Sequence, residues 1–216
     1  MKKSKKFIIM SVVFVLIIVV AVGIYFFYGK KMQNAVTITG SMYMFDTSTP
    51  ERAVGISDYV FVAKIDGIAR TEYRNPITVE TGLSSSETRT TPYTVYNIEV
   101  VKNIKGELIT SEPIEYMQYG GINEDGETYT FMEGTSLLET GKYYILMVGT
   151  FEGDGGIIEV TEPNRRILLD DVENDEDVEN SELVKRYEEA YKNEYIPEGF
   201  YNWERYTSKY DVNYKE

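Results

Sequence analysis

A mainly β domain, set behind one amino-terminal transmembrane helix and followed by a carboxyl-terminal helix, is the fold class the sequence predicts. Three observations predict it. Phe7 to Tyr28 runs for 22 residues without a charge or a proline. From Ser57 onward, β-branched and aromatic runs alternate with turn residues at intervals of about 8–12 positions, the rhythm of a β-barrel or sandwich. Between Ser181 and Tyr195, apolar residues recur at spacings of three and four, the period of an amphipathic helix.

The first element is the anchor. A helix rising ~1.5 Å per residue over that apolar run covers ~33 Å, enough for a bilayer's ~30 Å hydrocarbon core. Lys2, Lys3, Lys5 and Lys6 precede it, whereas only Lys30 and Lys31 follow. The larger positive cluster stays in the cytoplasm, so residues from about 32 onward are expected outside. A cleaved signal peptide is the competing reading, with Ala21 and Gly23 as its only hint of a cleavage box. Signal peptides have a shorter apolar region, ~7–15 residues. Tyr25, Phe26, Phe27 and Tyr28 instead suit the membrane interface.

Composition narrows the chemistry. The chain has no cysteine and no histidine. That removes disulfides, lipid-modified cysteines, thiolate metal sites and the commonest general base. An exported domain without cysteine fits a Gram-positive cell surface better than an animal secretory pathway. The formal net charge is −13, and the six flanking lysines all precede residue 32 while no acid does. The region beyond the anchor is therefore more acidic than the whole chain. Nucleic acid and anionic surfaces should repel it, so no nucleic-acid partner is expected.

Residues 32–56 read as a juxtamembrane connector, with a short strand at Val36–Thr39 and a helical turn at Arg52–Ile56. The barrel region, 57–170, opens with a strand at Asp58–Ile65. Residues 74–92 hold Asn75-Pro76, Gly82, three serines and Thr90-Thr91-Pro92, and read as a long loop. A second strand covers Tyr93–Val101, where the alternation breaks at Val101 and resumes at Ile104, predicting a bulge. Lys105-Gly106-Glu107 is a turn, Pro113–Tyr119 a third strand, and Asn123-Glu124-Asp125-Gly126 a tight turn before a short strand at Tyr129–Met132. Lys142–Phe151 is the most apolar strand after the anchor. It should pair back with Ile157–Thr161 across Glu152–Gly156. Arg165–Leu169 reads as a last strand or a helical turn.

The run Ser57-Asp58-Tyr59-Val60-Phe61-Val62-Ala63-Lys64, then Tyr93–Val101 ending in Lys102-Asn103-Ile104-Lys105-Gly106, resembles the first two strands of netrin-like modules. Leu137, Gly141-Lys142-Tyr143-Tyr144-Ile145-Leu146, Gly149 and Glu152-Gly153-Asp154-Gly155 look like the hairpin of tissue inhibitors of metalloproteinases, which share that module. The resemblance covers about 57–170 and implies a five-stranded OB-type β-barrel. Inhibition does not carry over: that family chelates its target's zinc through an amino-terminal cysteine, and this chain has none.

Past the barrel, 171–180 reads as an acidic linker and 181–216 as a helix capped by Ser181 with an aromatic tail. Counted from Asp171, oxygen-bearing side chains fall at calcium-loop positions 1, 3, 5, 7, 9 and 12: Asp171, Glu173, Asp175, Asp177, Glu179 and Glu182. Against calcium, Glu176 stands where the loop's sharp turn wants glycine, and such runs are commonly solvated faces. Calcium is the one cofactor the sequence raises. In the helix, Leu183, Val184, Tyr187, Ala190 and Tyr191 make one stripe, expected to pack on the barrel. The tail carries Phe200, Tyr201, Trp203, Tyr206, Tyr210 and Tyr214, which either fold back over the barrel mouth or stack on a partner.

These readings leave three classes of function. The first is a membrane-anchored binding domain that holds a surface protein, peptide or glycan. The second is an accessory subunit of a membrane complex. The third is a hydrolase working through paired carboxylates. No catalytic residue is singled out. A Ser-x-x-Lys dyad is absent at Ser57 and Ser181, which meet Val60 and Val184 three residues on. The loop 74–92 and the turn 120–127 are the candidate binding elements, since barrels of this kind bind across a face and its flanking loops.

Overall fold

Residues 59–65 and 143–150 make the centre of the domain, because both faces of both strands are apolar. The computed structural model describes residues 35–40, 45–82, 85–150, 155–159, 165–202 and 205–215. The expected anchor, Phe7–Tyr28, lies outside them. Among the described residues no helix is long and apolar enough to cross a membrane. Val36–Glu216 forms one compact unit, and it is mainly β with a carboxyl-terminal helix.

In chain order the elements are β1 (Val36–Thr39), α1 (Pro50–Gly55), β2 (Tyr59–Gly82), β3 (Ser85–Lys105), β4 (Ile114–Tyr119), β5 (Gly121–Ile122), β6 (Tyr129–Met132), β7 (Tyr143–Thr150), β8 (Ile157–Glu159), β9 (Arg166–Leu168) and α2 (Glu182–Lys192). The larger sheet has the order β2-β3-β4-β8-β7-β9, and β2 also pairs with β7. The sheet therefore curls back on its first strand and is partly closed. Its seam is the short parallel pairing of β4 with β8, Tyr116 opposite Ile157 and Met117 opposite Ile158. The smaller sheet has the order β1-β6-β5.

Alternation along the strands builds two cores. Tyr59, Phe61, Ala63 and Ile65 of β2 point inward with Tyr96, Ile98, Tyr116, Leu146 and Val148. Val60 and Val62 point outward, with Tyr143, Ile145 and Met147 of β7, against Val184, Tyr187 and Ala190 of α2. Four of the five residues of the expected helical stripe thus form the layer covering the outside of the sheet, Leu183 among them, whereas Tyr191 is exposed. Ser181 caps α2, its Oγ accepting from the Val184 N–H. Ala53 and Val54 of α1 join the same outer core. Gly55 lies so close to α2's exit that an added Cβ would stand 2.0 Å from the Tyr195 carbonyl oxygen.

The bulge read at Val101 is present: Val62 faces Lys102 while the next residue, Ala63, faces Val100. The loop expected over 74–92 is not. β2 and β3 continue as one antiparallel ribbon through Ile77↔Arg89, Thr78↔Thr88 and Val79↔Glu87 to Gly82↔Ser85. The punctuating residues bend this ribbon without breaking it. Asn75 takes a left-handed φ of 53°, which asparagine tolerates, and Pro76 sits at the register shift between Arg74 and Ile77. Meanwhile Ile77, Thr78, Val79, Thr88, Thr90 and Thr91 supply β-branched residues suited to pairing.

The acidic stretch 171–180 is more than a solvated linker. Val172 and Val178 are buried in the outer core, and a short 3-10 turn, Asp175–Asp177, is capped by Asn174. The tail folds back on the partly closed sheet. Leu108 bridges to Asp211, Ile109 N–H donates to the Tyr210 carbonyl and Val212 N–H to the Glu107 carbonyl, each at 2.9 Å. The Tyr59 hydroxyl donates to Asp211 Oδ2 at 2.9 Å and accepts from Ser208 N–H at 3.0 Å. Gly106, with φ 75°, is required at this corner, since a Cβ would meet the Tyr59 ring at 2.4 Å.

Candidate binding face

Beyond Ile65, β2 leaves the closed part of the sheet and presents Arg70, Glu72 and Arg74 on one face. Alternation puts these three side chains in a row. Register sets Arg70 opposite Val95 and Glu72 opposite Tyr93, and Val95 in turn opposite Met117 of β4. Three strands therefore contribute to one surface.

Arg70 is the hub. Its Nε and Nη2 donate to Glu72 Oε1 at 2.9 and 2.6 Å. Nη2 also donates to Glu115 Oε2 at 3.0 Å, and Nη1 donates to Glu115 Oε1. Arg74 holds the other oxygen of Glu72, donating from Nε at 2.9 Å and from Nη2 at 2.6 Å. The Arg70 hydrogen bond holds the Glu115 carboxyl below the usual glutamate range, against a smaller upward push from burial. For Glu72, burial pushes upward, but the bonds from Arg74 and Arg70 together leave it lowered. Both carboxylates are thus biased toward their ionised form by the arginines beside them.

Aromatic rings flank the charged row. Tyr93 and Tyr119 meet edge to face, with centroids 5.5 Å apart and planes at 78°. The Arg74 guanidinium lies 5.9 Å from the Tyr93 centroid, and Asn75 Nδ2 donates to the Tyr93 hydroxyl at 3.2 Å. Between the row and the tail lies a cleft of about 60 Å³, floored by Val95, Met117 and Ile158 and walled by Lys209 and Tyr210. That volume admits a small group such as a hydroxyl pair or a methyl, rather than a whole ligand.

The two candidate elements, 74–92 and 120–127, touch through residues that strand alternation sets on the other face of the ribbon from Arg70, Glu72 and Arg74. The Tyr73 hydroxyl donates to the Asn123 carbonyl at 3.2 Å, and Thr90 Oγ1 donates to Glu124 Oε1 at 2.6 Å. The turn is tied internally: Asp125 accepts from Glu127 N–H, Thr128 N–H and the Thr128 hydroxyl. Neither 74–92 nor 120–127, the elements the sequence singles out, contains Arg70, Glu115 or Met117. The one legible signal was Arg70-x-Glu72-x-Arg74, whose period of two on a strand sets alternating charges on one face.

Five of the six acids of the calcium reading go to separate partners. Asp171 accepts from Ser181 Oγ at 3.3 Å, Asp175 from the Tyr143 hydroxyl at 2.8 Å, and Asp177 from the Glu173 and Asn174 N–H groups. Glu179 pairs with Lys102 at 2.5 Å and Glu182 with Lys185 at 3.0 Å, while Glu173 is exposed. Among the described residues, no group of three or more acidic side chains is placed to hold a metal ion.

No family model matches the chain, and a comparison with curated proteins finds no match.

Proposed function

We propose that the chain is a single-pass, membrane-anchored binding module displayed at the outer face of a Gram-positive cell. Residues 1–31 serve as cytoplasmic end and anchor, 32–56 as connector, and 57–170 as an OB-type barrel of the netrin-like kind. The acidic segment 171–180 and the helix and tail, 181–216, buttress it. The barrel reading is supported by the path of pairings from β2 through β3, β4, β8 and β7 back to β2, with its one parallel seam. The anchor reading rests on the 22-residue apolar run and its lysine flanks.

The observation that carries the binding role is the β2–β3–β4 face. It sets a fixed Arg–Glu–Arg row beside perpendicular tyrosine rings and an apolar-floored cleft. Planar guanidinium and carboxylate groups recognise amides and hydroxyls in pairs, and half-buried rings such as Tyr93 and Tyr119 keep an edge or face for flat apolar groups. The face therefore suits a surface peptide, protein or glycan. NMR titration with cell-wall glycan fragments and with short extended peptides tests it. Shifts should concentrate at 70–74, 93–95 and 115–119, and Arg70→Ala with Tyr93→Ala should abolish them. Shifts scattered elsewhere, or none with either ligand class, would remove the assignment. Protease added to intact cells should digest the domain from outside.

A further inference from the structure

β1 is the open edge of the smaller sheet. Among the described residues it pairs, in parallel, with β6 alone, Val36↔Tyr129 through Thr39↔Met132. All four of its residues are exposed, with Val36 at 53% and Ile38 at 55%. Natural edge strands are guarded by charges, prolines, bulges or a covering element. Residues 35–40, AVTITG, contain no charge and no proline. Val36 and Ile38 line one face of the strand and Thr37 and Thr39 the other.

We propose that two copies of the chain, held in one membrane, pair antiparallel through their β1 edges. This rests on the anchor reading above. Tyr28 ends the apolar run and Val36 opens β1, so at about 3.3–3.6 Å per residue Val36 lies within roughly 30 Å of the bilayer. A two-fold axis along the membrane normal brings identical edges together in opposite directions, the geometry an antiparallel pair needs. VTIT is self-complementary in that pairing, apolar meeting apolar and threonine meeting threonine. An uncharged edge imposes no mismatch on a second copy. The acidic bodies repel one another, but salt limits that repulsion to a screening length of about 8 Å.

A four-residue edge falls far short of the roughly 1,000 Å² that a stable interface buries. Two copies free in solution would separate. Confinement to one bilayer raises their mutual concentration, as a linker does, and makes the weak edge sufficient.

The chain's lack of cysteine gives a clean test. Single substitutions Val36→Cys, Thr37→Cys, Ile38→Cys and Thr39→Cys are placed in the full-length chain, with Ser86→Cys at the far end of the ribbon as control. Membranes are oxidised and run without reductant. A band at about twice 24.8 kDa is expected for one or two of the four positions, absent for Ser86→Cys. It should be lost when Ile38→Lys is added to the best cross-linking variant. Protein that stays with the membrane but forms no such band at any of the four positions overturns the pairing and leaves the anchored binding module intact. Cross-linking to a different protein also overturns it. Chain recovered in the soluble fraction removes the anchor itself, and the pairing with it.

Discussion

β2 is one strand living in two environments, and its halves explain each other. From Tyr59 to Lys64 it lies between β3 and β7, and both of its faces are covered, by the inner core and by α1 with α2. From Ile68 to Gly82 it has a neighbour on one side for most of its length, and residues such as Ile68 and Ile77 are exposed. The sequence changes accordingly, from YVFVAKI to a stretch with Arg70, Glu72 and Arg74. A strand buried on both faces has to be apolar throughout, whereas a ribbon in water can carry charge at every second residue. The covered half holds the fold, and the free half is where the domain can afford a binding surface.

The contrast is sharpest in a matched pair of truncations. Phe61→Ala empties a site with no solvent exposure and should cost ~3–5 kcal/mol of unfolding free energy. Ile77→Ala, on the ribbon at 60% exposure, should stay within about 0.5 kcal/mol. Thermal unfolding of both variants measures this; equal losses would mean the ribbon is part of the core. Next in size is Gly55→Ala, which must force α1 away from the Tyr195 carbonyl. A loss of ~1–3 kcal/mol, the usual cost of overpacking, is expected, with an unchanged melting temperature as the contrary result.

Tyr59→Phe should come third. It removes the hydroxyl that ties the base of β2 to the tail and leaves the Ser208 N–H without its acceptor, at about 1–2 kcal/mol. Deleting 198–216 should lower the melting temperature further still. The smallest effect is a pH response of the free half. Glu72 and Glu115 are held below the ordinary value of 4.5, so their contribution is complete above that value. It is lost as pH falls through their lowered values. Glu159 behaves in the opposite sense: burial raises its pKa despite Arg166, so its contribution is present in acid and lost as pH rises. Arg70→Ala should flatten the acid limb of a stability-against-pH curve while leaving the Glu159 limb in place. Parallel curves would show that the charged row does not couple to folding.

Legibility followed the same division. The covered half was readable because burial writes a strong pattern: the strand from Asp58, the bulge at Val101, the apolar β7 and the stripe of α2 all stand in the structure. The ribbon was not, because Asn75-Pro76, Gly82 and the serines resemble loop residues when only local propensity is weighed. Pairing with an equally long partner strand outweighs those residues. Arg70 and Glu115 were invisible as a pair, since 45 positions separate them and only the sheet's register joins them. Val172 and Val178 were masked in the same way by the acids around them.

Tyr59 and its carboxylate partner Asp211 are 152 positions apart. At about 5–20 residues per second, synthesis needs roughly 8–30 s to cover that distance. A newborn chain must therefore wait, its floor unlatched, until Asp211 has been made. A stop codon falling before that position would release a product that had never been fastened shut.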